Sequence, residues 1–173
     1  MRLIKSLVLL GLFWQGALAV WGQEIHYNYD RGADFAAYKT YQWVALKGAR
    51  VDDPFLDQNI KRAVDGQLAQ KGMRRVEEGG DLFVAHQTSV KEEKEFDAWT
   101  MGPRWSGRAQ GRTYTVQRGT LVLHLYDPAR KQLVWRGSVS KTLNLKKDPE
   151  KNYQNLEKAV AKLLKNYPPT PKD

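Results

Sequence analysis

Two apolar repeats with different periods restrict what this chain can fold into. Leu56, Ile60, Val64 and Leu68 recur every four residues, and Tyr153, Leu156, Val160, Leu163 and Tyr167 recur every three or four. Each run lays one apolar stripe along a helix. Elsewhere the period is two. Ile25, Tyr27 and Tyr29 alternate with Glu24, His26 and Asn28, and Leu121, Leu123 and Leu125 alternate with Val122, His124 and Tyr126, the pattern of strands. A helical stripe has to be buried, and the apolar face of a sheet is the surface on offer. The expected fold is α+β: a mostly antiparallel sheet of about five strands with two amphipathic helices packed on one face. The other face is then solvated or docked on a partner.

Local signals place the elements. Asp52 and Asp53 suit a helix cap, Pro54 the first helical position and Gly72 the stop. Gly66 inside this helix costs about 1 kcal/mol relative to alanine and marks close packing more readily than function. Asp148-Pro149 opens the second helix and Pro168-Pro169 ends it. After the first strand, a turn over 33–37 leads to a second strand, Lys39 to Leu46. A short strand is expected over Met73–Glu77 and a strong one over Leu82–Val90. Thr113–Tyr126 and Gln132–Leu143 read as a hairpin around Asp127-Pro128, with Gly119 as a bulge and Leu133, Trp135 and Val139 on one face. Asp97 to Arg112 has no periodicity and holds Gly102, Pro103, Gly107 and Gly111, so it reads as a long loop.

The first residues, MRLIKSLVLLGLFWQGALA, have the build of an export signal: Arg2 and Lys5, an apolar run from Leu7 to Trp14, then Ala17-Leu18-Ala19. That run is short of the roughly 20 residues a spanning helix needs. The expected organisation is a signal over 1–19 (or a cut after Gly22), one domain over 23–167 and a disordered tail over 168–173. Cysteine is absent, which excludes disulfides, thiolate metal sites and a cysteine nucleophile. Losing Arg2 and Lys5 lowers the formal charge from +9 to +7. For an exported basic chain the expected partners are an envelope protein or an anionic envelope component, not nucleic acid. The lysines of the second helix, among them Lys146, Lys147, Lys151 and Lys158, admit peripheral membrane association but are equally a solvated face.

The chemistry-bearing residues have structural explanations beside functional ones. Asp30 and Asp34 could form an acid–base pair, yet turn and cap positions use the same side chain. His26, His86 and His124 could hold zinc or copper if they converged, but no pair is close in sequence. No serine sits in a nucleophile motif. No cofactor is implied, and catalysis centred on these histidines or aspartates is the alternative reading to a binding module. The segment FDAWTMGPRWSGRAQGR offers the best candidate binding site. Trp99, Met101 and Trp105 interleave with Arg104, Arg108 and Arg112, and aromatic plus arginine is hot-spot composition. The competing reading is a lid over a sheet edge.

The opening YDRGADFAAYKTYQW, the strand DLFVAH, the hairpin GTLVLHLYDPARKQLVWRG and the closing AVAKLLKNYPP together resemble the domain of unknown function 4136, a group of bacterial cell-envelope proteins, many of them lipoproteins. The resemblance spans essentially the whole chain after the signal. It implies structural roles for Asp30, Asp34, Phe35, Tyr38, Lys39, Thr40, Trp43, Gly119, Trp135, Arg136 and Gly137, and no active site. Lacking a cysteine to carry lipid, this member is expected to be soluble in the periplasm. The segment 97–112 falls in the family's variable region.

Overall fold

Asp53 and Pro54 start the first helix as their types demand. The Asp53 carboxylate accepts from the N–H groups of Phe55 and Leu56 at 2.9 and 3.2 Å, and α1 runs Pro54–Gln70. It ends before Gly72, whose φ of 80° suits a residue without a side chain. The second helix, α2 (Pro149–Leu163), is capped by Asp148, which accepts from Glu150 N–H at 2.9 Å. The computed structural model describes residues 23–46, 53–101, 108–143 and 148–170, with backbone alone over 98–101 and 108–110. The expected signal, Lys146, Lys147 and residues 171–173 lie outside these.

The strands are β1 (Glu24–Tyr29), β2 (Thr40–Trp43), β3 (Arg74–Arg75), β4 (Leu82–Met101), β5 (Arg108–Asp127) and β6 (Gln132–Thr142). They form one sheet in the order β1-β6-β5-β4-β2-β3. The α+β class holds, but there are six strands and the sheet is mixed. The strand β2 lies parallel to both β3 and β4. The helix α1 joins β2 to β3, and a crossover of that kind returns the chain in the same direction.

Leu121, Leu123 and Leu125 of β5 point to the helix side and are buried with Ile60, Val64 and Leu68 of α1 and Val160, Leu163 and Leu164 at the end of α2. Both helices therefore cover one face. Burying each such side chain contributes about 1.5–3 kcal/mol. Trp135, 1% exposed, is the largest fully buried residue. Its indole lies over Gly137, where an added Cβ would come within 2.3 Å of the ring, so this Trp-Arg-Gly run is a packing device.

Two details of the last hairpin differ from expectation. The bulge lies at Val134, not at Gly119. Pairing passes from Leu125↔Trp135 to Tyr126↔Leu133, so Val134 is the extra residue. Both Val134 and Trp135 are buried, and Leu133 turns outward at 43% exposure. Gly119 pairs regularly with Val90 and Lys141. Its missing side chain makes room for Leu143, whose Cδ2 would lie 2.8 Å from a Cβ there.

The largest correction concerns 97–112. It is not a long loop: β4 and β5 stay paired in regular register from Phe83↔Tyr126 out to Met101↔Arg108. The alternation was invisible because the outer part of this ladder has no core to face. Pairing of β4 with β2 stops at Val84, and pairing of β5 with β6 stops at Arg118. Beyond Glu92, whose partner Gln117 still accepts from Leu143 N–H at 2.7 Å, no other described strand pairs with the hairpin, which runs on as a two-stranded arm about 30 Å long at 3.3–3.4 Å per residue.

Candidate functional site

The arm carries the residues that sequence composition singled out. Trp99, Met101 and Arg108 lie on its paired strands, Arg112 is exposed opposite Asp97, and Arg104 and Trp105 lie outside the described residues. The side chains of Trp99, Met101 and Arg108 are likewise outside the described set. Arg118 ties down the base of the arm. Its guanidinium donates to Glu93 at 2.7 Å and lies 3.8 Å from Glu24 and 3.9 Å from Glu95, so one cation joins β1, β4 and β5. Tyr114 donates to Glu95 at 3.0 Å, and that bond holds the phenol proton and raises its pKa. On the other side of the arm the Phe96 ring is 67% exposed and covers Gly111. This aromatic-over-glycine contact stiffens a pairing that has no core behind it.

A second feature escaped the sequence reading. Between the N-terminal halves of α1 and α2 and the sheet lies a cleft of about 260 Å³. Its walls are Leu56, Ile60, Leu121, Val139, Leu156 and Ala159; Val90, Lys141, Leu143, Asn152 and Asn155 complete the lining. Leu56, Val90 and Leu143 are 39%, 59% and 36% exposed. Bulk is missing on the α2 side, where Ala159 offers only a methyl. The one available signal was an apolar residue at each of several element ends, which a periodicity search passes over.

The aromatic opening stretch, by contrast, is occupied with holding the domain together. Phe35 makes edge-to-face contacts with Tyr29, Tyr38 and Tyr167 at 5.9–6.1 Å. Asp30 accepts from Gly32 N–H and from Arg130, both at 2.9 Å, and Asp34 accepts from Ala36 N–H at 3.0 Å. The Asp81 carboxylate takes three bonds, from the N–H groups of Lys39 and Thr40 and the Thr40 hydroxyl, at 2.8–2.9 Å. Those bonds hold its pKa below the ordinary value. Asp65 accepts from Tyr41 Oη at 2.7 Å and Trp43 Nε1 at 2.8 Å, and Tyr41 is pushed up, first by burial and then by that carboxylate.

The histidines stand apart. His26 pairs with Glu24 at 3.0 Å, and His86 pairs with Asp57 of α1 at 2.8 Å. His124 lies on the sheet face away from the helices, opposite Arg136. Burial, reinforced by the Arg136 charge, lowers its pKa. Among the described residues no group of three His, Asp or Glu is placed to hold a metal ion. On the same outer face Phe83 stacks on Tyr126, ring centroids 6.4 Å apart.

Known proteins agree on the fold. A family model described as "Domain of unknown function (DUF4136)" matches residues 25–169. A PDZ domain protein from Parabacteroides distasonis superposes with a TM-score of 0.57 at 14% identity. The match covers 84% of this chain and 35% of that one, so this chain spans about a third of that protein's length. PelC from Paraburkholderia phytofirmans, crystallised as a dodecamer, superposes with a TM-score of 0.52 at 9% identity, over 83% of this chain and 95% of PelC. At these identities the likeness is one of fold. No functionally curated protein matches the chain.

Proposed function

Since the chain belongs to the DUF4136 family, which brings a fold and no activity, we propose that it is a non-enzymatic assembly module of the cell envelope and that its hairpin arm is the element that contacts a protein partner. One observation supports this above the others: among the described residues, β4 and β5 run on as a pair well past every other strand. A two-stranded ribbon alone in water is marginally stable, and its backbone edges are templates for another chain. Lys91, Glu92, Glu93, Lys94 and Glu95 along β4 discourage indiscriminate pairing while leaving charge-matched pairing open. That the PelC likeness is to a dodecamer makes a second copy the first partner to try. In this reading the chain works free in the periplasm; the export-type residues 1–19 and the lack of cysteine support that, and fractionation of cells expressing the full chain tests it directly.

The arm is tested by replacing 93–116 with an Asn-Gly turn, which keeps Glu92 opposite Gln117 and suits a short hairpin. The shortened protein should keep its thermal transition, since the core lies elsewhere. Light scattering should find the intact chain assembled and the shortened one not, and a photoreactive group at position 99 or 105 of the intact chain should crosslink a partner in cells. Equal assembly of the two proteins, with no crosslink from either position, would dismiss the arm as the contact element.

A further inference from the structure

We propose that the cleft between the N-terminal halves of α1 and α2 binds the aliphatic chain of a single-chain anionic amphiphile, of which a medium-length fatty carboxylate is the simplest form. The cleft offers about 260 Å³. A slender chain fits. At about 30 Å³ per water-sized group the cleft accepts roughly eight or nine methylenes. Leu56, Ile60, Leu121, Val139, Leu156 and Ala159 give that chain a continuous apolar wall.

Charge gives the chain its orientation. Among the described residues no aspartate or glutamate lines the cleft, and the one charged lining residue is Lys141. The Lys141 ammonium lies 3.4 Å from Asn155 Oδ1 at the α2 side of the cleft, and a carboxylate headgroup within its reach would gain a charge-assisted bond. Apolar residues exposed around the opening, Leu56, Val90 and Leu143, are what a binding groove shows before it is filled. None of this involves the arm, so the two proposals stand or fall separately.

The test is calorimetric titration of the intact exported chain with saturated carboxylates from six to fourteen carbons, as a series of about five probes below their aggregation limits. Each seated methylene should tighten binding about fourfold, and the gain should stop once roughly nine are buried. Ala159→Leu fills the cleft from α2 and should weaken binding at least tenfold. Thr88→Phe, at an exposed strand position beside the cleft, should do the same should the first variant fail to fold. Lys141→Gln should weaken carboxylates severalfold and leave the alcohol of equal length unchanged. The arm-shortened protein should bind as the intact one does. The proposal is overturned by absence of saturable uptake, by a flat chain-length series, or by folded Thr88→Phe protein binding normally. Adsorption to anionic vesicles without uptake of the free carboxylate would overturn it too.

Discussion

Asp127 closes the turn between β5 and β6 and is the one buried charged residue among those described. Its Oδ1 accepts from the N–H groups of Ala129 and Arg130 at 2.9 and 3.0 Å, and its Oδ2 from the buried Tyr38 hydroxyl at 2.8 Å. Asp127→Ala leaves the Tyr38 hydroxyl proton without its acceptor, Arg130 remaining beside the oxygen, at about 1–3 kcal/mol, and returns two part-buried turn amides to water at about 0.5–1 kcal/mol each. The sum is about 3 kcal/mol, or roughly 10 °C in Tm for a domain of this size. Asp127→Asn keeps an acceptor for the turn and should cost about 1 kcal/mol. Tyr38→Phe should cost about 1 kcal/mol alone and little more on top of Asp127→Ala, because the two share one bond.

The same site gives a pH test. Burial works to raise the Asp127 pKa, but the turn amides, Tyr38 and the Arg130 charge outweigh it and hold it below the ordinary 3.8. A depressed carboxylate contributes stability that is complete above its unfolded value and is lost as pH falls through the folded one. Urea unfolding of wild type and Asp127→Asn should therefore converge as pH drops below 3.8 and stay parallel above 5. Asp57 and Asp81 are also depressed, so the difference between the two proteins is the quantity to follow. A loss under 1 kcal/mol for Asp127→Ala, or a constant gap at every pH, would refute the reasoning.

Other outcomes follow from single contacts. Gly80→Ala places a Cβ 2.7 Å from Gln42 N and 2.8 Å from the Tyr41 carbonyl carbon. The backbone of β2 must shift, at about 1–3 kcal/mol, measurable by chemical denaturation. Asp65→Ala removes the acceptor shared by Tyr41 and Trp43 and should cost about 2–3 kcal/mol, with a change in tryptophan emission from Trp43. Phe96→Ala should leave Tm within about 1 °C because the ring is outside the core, while amides of 91–98 exchange faster with deuterium. Slowed exchange there would contradict the role given to Phe96 over Gly111.

The helices were readable because their evidence is local: a cap, a proline, a stripe and a stop within one stretch of chain. The opening motif was readable as scaffolding for the same reason, since Asp34 serves its own turn. The arm was not. Alternation is visible only where one face of a strand is greasy, and from Lys91 to Asp97 both faces of β4 meet water. The bulge at Val134 was hidden because Leu133-Val134-Trp135 is apolar in either phase, and only the turn at Asp127 selects one. Parallel pairing of β2 depends on where α1 delivers the chain, which four residues of strand cannot announce. The cleft is the least legible feature, being a gap beside Ala159 among residues far apart in sequence.

Arm and domain share their two strands, and those strands, β4 and β5, lie in the interior of the sheet order, not at its rim. A pull on the tip is thus directed along the ladders that join β5 to β6 and β4 to β2, loading many bonds at once in shear in place of peeling them singly. A partner holding the arm would draw against the centre of the sheet and not against an edge strand.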